Sequence, residues 1–172
     1  MARRVHLRSI AAFLCAGMIA ACSAAQTPDA HIGQPLAITV QDLRTSQPID
    51  AAMWLGHVVL VDLWASWCVS CKQAMPHHVD LWNRLHARGF DVVAISVDED
   101  QAAAEQFLRE TPLPFTVAWD AGQHTANALQ PREMPTAYVM DRQGKVVAVA
   151  GGGTLDAMRA IDRAVEAALG PP

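Results

Sequence analysis

Cysteine is scarce in this chain of 172 residues, with four in all, at positions 15, 22, 68 and 71. The first two sit in an amino-terminal stretch unlike the rest. What remains is one pair with two residues between them, too few for a disulfide-stapled scaffold. A second cysteine pair, the usual partner in a four-thiolate metal clamp, is missing. Basic charge is also in short supply. Lys and Arg number 13 against 17 Asp and Glu, for a formal charge of −4. No basic run occurs beyond the amino terminus, which argues against a nucleic-acid partner. Apolar runs are short as well, and none reaches the ~20 residues of a membrane-spanning helix. Internal repeats and low-complexity tracts are absent. A chain of this length with 52% hydrophobic residues can bury one sizeable core.

Residues 1–21 read as a signal peptide. Arg3, Arg4 and Arg8 make a positive start, and Ile10 to Ala21 is apolar and rich in small residues. The run Ile19-Ala20-Ala21-Cys22 resembles a bacterial lipobox, which is cut before the cysteine and lipidated on it. Ordinary cleavage near the same place would leave Cys22 as a spare thiol. Residues 22–32 are then a tether, small and polar, and residues 33–172 the folded domain.

Periodicity orders that domain. Leu36, Ile38 and Val40 alternate as a strand within Gly33–Gln41. His57 to Trp64 is almost continuously apolar, as for a strand buried on both faces. Val69 to Ala87 predicts a helix with Met75, Val79, Trp82 and Leu85 on one face and Pro76 inside it. Asp91–Val97 is a second buried strand. Asp98 and Gln101 fit a capping box before a helix to about Glu110. Phe115–Trp119 is a short strand and Ala121–Leu129 a short helix. Thr136–Met140 and Lys145–Ala150 make a hairpin about the turn Asp141–Gly144. Thr154 caps a last helix with the stripe Leu155, Met158, Ile161, Val165 and Leu169, which Gly170 and Pro171 end. This order implies an α/β domain, a central mixed sheet with helices on both faces.

The pair Cys68 and Cys71 opens the first long helix. N–H groups and the helix dipole favour an anion there, so the first thiol ionises more readily. A thiolate attacks a disulfide sulfur, and the second thiol can resolve the mixed disulfide. Two other uses stay open: a zinc or copper site helped by His77 and His78, and a plain structural bridge. The histidines themselves read as part of a solvated helix face. Asp62 is the one acid in its apolar strand. A carboxylate is costly to keep charged there, which suits it to hold or take a proton; a bonded, inert Asp at a strand end is the alternative.

Residues Val61 to Cys71, with Asp62, Trp64, Ala65, Trp67, Cys68 and Cys71 in place, resemble the active-site segment of the thioredoxin superfamily. The continuation Lys72 to Pro76 looks more like its TlpA-like and ResA-like extracytoplasmic branch. Ser70 departs from the pattern, which often has Pro before the second cysteine. The resemblance spans roughly residues 33–169. It implies a thioredoxin-like fold with an N-terminal hairpin extension and a βα insertion near 101–119. It implies Cys68 as nucleophile, Cys71 as resolving thiol, and Asp62 behind Cys71 as its base. It implies a cis bond before Pro135, with the Met134 backbone turned to the site for pairing with an extended substrate, and an exposed Trp67 beside the nucleophile. Trp64 is expected in the core. The activity implied is thiol–disulfide exchange on cysteine pairs of exported proteins, as a reductant for apocytochromes or copper-site proteins. A membrane thiol carrier would supply electrons to a lipid-anchored protein on the periplasmic side. No cofactor beyond the redox-active pair and no metal are expected. Two relatives of other function fit less well. Sco-like copper chaperones space their cysteines three apart. Thiol peroxidases want Thr or Ser three residues before the nucleophile and Pro seven before, where Ala65 and Val61 stand.

Overall fold

The computed structural model describes residues 31–171. The stretch expected as a signal peptide, Cys15 and the expected lipidation site Cys22 lie outside the described residues.

Among the described residues seven strands form one mixed sheet in the order β2-β1-β5-β4-β3-β6-β7. They are β1 (Thr39–Asp42), β2 (Pro48–Asp50), β3 (Val58–Trp64), β4 (Phe90–Ser96), β5 (Thr116–Trp119), β6 (Thr136–Met140) and β7 (Val146–Gly151). Helices α1 (Val69–Leu85), α2 (Gln101–Glu110), α3 (His124–Leu129) and α4 (Leu155–Leu169) complete it. Strands β3, β4 and β5 run parallel, and the remaining pairings are antiparallel.

Every residue of β3 is buried, because both its faces are covered. The alternation of a strand divides them. Val58, Leu60 and Trp64 pack with residues of α1, α2 and α4. Val59, Val61 and Leu63 pack on the other side, with Leu129 of α3, Trp54 and the segment from Leu36 to Val40. The same period places Asp62 on the α1 and α4 side. This is the thioredoxin-like fold, with β1–β2 as its N-terminal extension and α2–β5 inserted between β4 and the β6–β7 hairpin.

Four local expectations are corrected. The first strand is shorter than Gly33–Gln41. Leu36 and Ile38 are buried without joining the ladder, and Pro35 makes only an isolated bridge to Lys145, so the alternation there reported burial and not pairing. Asp98 does not cap α2; Asp100 does, accepting from the Ala102 N–H at 3.0 Å. The inward face of α1 is Cys71, Ala74, Met75, His78, Leu81 and Leu85. Val79 and Trp82 only flank it, and His78 is not solvated. At the start of α4, Leu155 is 71% exposed and stands outside the packed stripe. Among the described residues no helix is long and apolar enough to cross a membrane.

Candidate active site

Strand β3 delivers the chain to the site through a three-residue loop. That loop is fixed from the neighbouring strand. Asp98, just past β4, accepts from the Ser66 N–H at 2.9 Å and the Ser66 hydroxyl at 2.8 Å. The Ser96 hydroxyl donates to the same carboxylate at 2.8 Å. A buried carboxylate with several donors is stable in place, so the residues leading to Cys68 are held.

Cys68 is the N-cap of α1, and its Sγ accepts from the Cys71 N–H at 3.2 Å. The two cysteines are joined by a disulfide. Their exposures differ in the way exchange requires: Cys68 is 6% exposed and Cys71 0%. Only the first sulfur offers a partner an approach. Beside it stand two exposed apolar side chains, Trp67 at 66% and Val69, an apolar rim of the kind that marks a docking surface. Trp64 is buried against Phe107, with ring centroids 4.9 Å apart.

Opposite the pair lies the loop before β6. The Met134–Pro135 peptide bond is cis. The Pro135 carbonyl accepts from the Gly152 N–H at 2.9 Å. Gly151 and Gly152 pack directly on the Glu133 side chain, and a Cβ at Gly153 would stand 3.3 Å from both the Pro135 ring and the Ser70 carbonyl oxygen. Three glycines in a row are what let the β7–α4 loop lie this close. Ser70 ties the two halves together: its hydroxyl donates to the Met134 carbonyl at 3.2 Å and lies 3.5 Å from Cys68 Sγ. Nothing in the sequence pattern pointed to that role for Ser70.

Asp62 is fully buried, lining a small cavity with Ala74 and His78 of α1, and neither carboxylate oxygen has a hydrogen bond. His78 faces it, with Nε2 3.5 Å from Oδ2. His78 is only 1% exposed. A cavity of about 10 Å³ lies between β3, α1 and α4, touching Asp62, Ala74, His78 and Pro135. His78 follows Cys71 by two helical turns on the same face, a spacing that could have flagged it. His77 turns outward to Asp162 of α4, with Nε2 3.0 Å from Oδ1. Among the described residues no cluster of three His, Cys, Asp or Glu side chains could hold a metal ion. A groove of about 550 Å³, lined by Arg44, Leu108 and Leu113 among others, shares no residue with the cysteine site.

The arrangement offers one approachable sulfur at a helix start, one shielded sulfur a turn further on, a buried acid under the same helix and the cis-proline loop opposite. The sequence profile of the AhpC/TSA family matches residues 32–149. The chain is 30% identical over 92 residues to the thiol-disulfide oxidoreductase ResA of Bacillus cereus, covering 54% of this chain and 53% of that protein. The chain thus spans about half the length of the curated relatives it matches. Among solved structures it is similar to one titled as a thiol:disulfide interchange protein DsbE from Chlorobium tepidum, with TM-score 0.76, 31% identity, and coverage of 81% of this chain and 98% of that one. A Bacteroides thetaiotaomicron structure titled as a protein disulfide isomerase shares the fold, with TM-score 0.71, 21% identity, and coverage of 80% and 89%.

Proposed function

We propose, for a chain that belongs to the AhpC/TSA family of the thioredoxin superfamily, thiol–disulfide exchange on cysteine pairs of exported proteins. Family membership alone does not fix the chemistry. The observation that carries the reading is the unequal pair: Cys68 at the mouth of α1 and Cys71 sealed behind it, facing a cis Pro135. The helix start favours a thiolate at Cys68.

In the reducing direction, the Cys68 thiolate attacks one sulfur of a substrate disulfide. The first substrate thiolate leaves, and a mixed disulfide forms. Cys71 then gives up its proton and attacks Cys68 Sγ. The Cys68–Cys71 bond forms, the bond to substrate breaks, and the second substrate thiolate leaves and takes up a proton. Two electrons pass from the pair to the substrate. Asp62 is the base for Cys71. Trp67 and Val69 receive the apolar flank of the partner, and the Met134 backbone pairs with its extended segment. The pair itself is the only redox group needed.

The partners that fit are apocytochromes or copper-site proteins, with a membrane thiol carrier restoring the reduced form. A lipid on Cys22 would hold the protein at the periplasmic side of a membrane. The Sco-like alternative is disfavoured by two-residue cysteine spacing, and the peroxidase alternative by Ala65 and Val61 where its peroxide site would need Thr or Ser and Pro.

The test uses Cys71→Ser. This variant should accumulate mixed disulfides through Cys68, visible as adducts lost on reduction. Iodoacetamide at mildly acidic pH should label Cys68 well before Cys71 in the reduced wild type. Equal labelling and no trapped adducts would sink the exchange reading. Separately, Cys22→Ser should release the protein from the membrane fraction, and unchanged fractionation would remove the lipid anchor.

A further inference from the structure

Cys71 lies in apolar surroundings, so its proton must find an acceptor inside the protein before it can attack. Asp62 is such an acceptor, but it is itself buried without a hydrogen bond. A lone buried carboxylate is very unfavourable. Among the described residues the group paired with it is His78, with Nε2 3.5 Å from Oδ2, and His78 is equally buried and has no hydrogen bond of its own. An imidazole is an uncommon choice for the inward face of a helix that otherwise presents Ala74, Met75, Leu81 and Leu85.

We propose that His78 is a positioning residue for the exchange, holding Asp62 in a buried acid–imidazole pair that takes and returns the proton of Cys71. This rests on the exchange reading above. His78 stands seven residues beyond Cys71, about 10 Å along the helix, so it acts through Asp62 and never meets the sulfur. With one proton between them the pair is neutral overall, whichever member holds it. The thiol proton moves from Cys71 onto the pair as the Cys68–Cys71 bond forms, and passes to solvent or to the leaving thiolate afterwards. Within the buried set of Cys71, Asp62 and His78 that transfer moves charge without adding any. The cavity shared by Asp62 and His78, about 10 Å³, is at the lower limit for one water, so contact is direct or through a single molecule.

The other groups facing the pair are few. From α1, the His77 ring lies 6.0 Å from that of His78, and Asp162 of α4 lies 3.0 Å from His77. From β6, β7 and α4 the cavity wall is apolar, with Ala137, Ala150, Met158 and Ile161. Asp62 and His78 therefore face each other across an otherwise apolar wall.

The test compares Asp62→Asn, His78→Gln and the double variant in disulfide reduction across pH 6 to 9. Asp62→Asn should lower kcat on the order of 10²-fold, with KM unchanged. His78→Gln should lower kcat by about tenfold, less than a group that meets the sulfur, and should lose a step from the pH–rate profile. The double variant should be no slower than Asp62→Asn alone. Losses that multiply, to within about twofold, or wild-type turnover in His78→Gln, would overturn the proposal. His78→Leu serves if the Gln variant folds poorly, with the same rate loss expected. A second arm needs no turnover: the His78 ring protons are followed by NMR against pH in wild type and Asp62→Asn. Their midpoint should move, and an unmoved midpoint overturns the pairing. Failure of Cys71→Ser to trap a partner would instead sink the exchange reading, whatever the NMR shows.

Discussion

Ser70 holds a single hydroxyl hydrogen between two acceptors that the exchange would use. Its Oγ is 3.2 Å from the Met134 carbonyl and 3.5 Å from Cys68 Sγ. It can serve only one of them at a time. With the disulfide closed, the carbonyl is the better acceptor. On reduction the Cys68 thiolate becomes a charged acceptor, and bonds to charged groups are stronger. The hydroxyl should therefore turn to sulfur in the reduced form and stabilise it. Ser70→Ala removes that donor, so its reduction potential should fall. A charge-assisted bond of about 1.5 kcal/mol corresponds to roughly 30 mV for this two-electron couple. Equilibration in a glutathione series measures it. An unchanged potential would mean that the hydroxyl stays on Met134 in both states. The cysteines themselves were legible from spacing alone, because a pair at a helix mouth is a local pattern. The partner of Ser70 was not, since Met134 lies 64 residues further on. For the same reason Asp62 was singled out while His78 was misplaced on the solvated face: a histidine reads as polar until the acid opposite it is known.

At the scale of elements, the site is a meeting of one helix start and two loops, and the β7–α4 loop is the tightest part. Gly153 has φ +58, and a Cβ there would press on the Pro135 ring and the Ser70 carbonyl at 3.3 Å. Gly170, at the end of α4, has φ +76 but nothing within 4 Å. Both glycines should resist substitution through backbone strain, about 1–2 kcal/mol each on replacement by Ala. Only Gly153→Ala should also slow disulfide exchange, by displacing the cis-proline loop from α1. Thermal melts and exchange rates of the two variants check this, and equal exchange rates would show that the loop does not set the site. Element boundaries were largely legible because the strands are apolar and β-branched and α4 begins at a capping Thr154. The faces of the helices were less so. Trp82 seemed a core residue by periodicity, yet its ring Nε1 donates to Asp91 at 3.0 Å, at the rim of the sheet. Asp98 matched a capping pattern but was drawn inward by Ser66 and Ser96. In both cases a side-chain hydrogen bond to a neighbouring element overrode a local preference.

For the whole molecule, the fold and the redox pair are linked thermodynamically. The central strands and the final hairpin follow from sequence order, whereas the insertion of β5 between β4 and β1 is a tertiary choice that periodicity does not carry. Once folded, this architecture either favours the closed disulfide or the open pair, and the difference is the displacement of the potential of Cys68–Cys71 from that of the same pair in the unfolded chain. If the folded protein has the lower potential, the oxidised form is more stable than the reduced form by nF times the gap, about 1.4 kcal/mol for each 30 mV. A reductant needs a low potential, so the proposed direction expects the oxidised protein to melt higher. Two features pull in opposite senses. Burial of Cys71 and the buried Asp62 oppose a second charge behind Cys68, which favours the disulfide. The start of α1 and the Ser70 hydroxyl favour a thiolate at Cys68, which favours the reduced form. The cleanest measurement is the melting temperature of each redox form. For a domain of this size each kcal/mol corresponds to about 2–4 °C, so a 30 mV gap gives a difference of roughly 3–6 °C. An oxidised form that melts several degrees above the reduced one supports a donor of electrons to exported proteins. A reduced form that melts higher would reverse the direction and make the protein an oxidant of its partners, with the same residues at work.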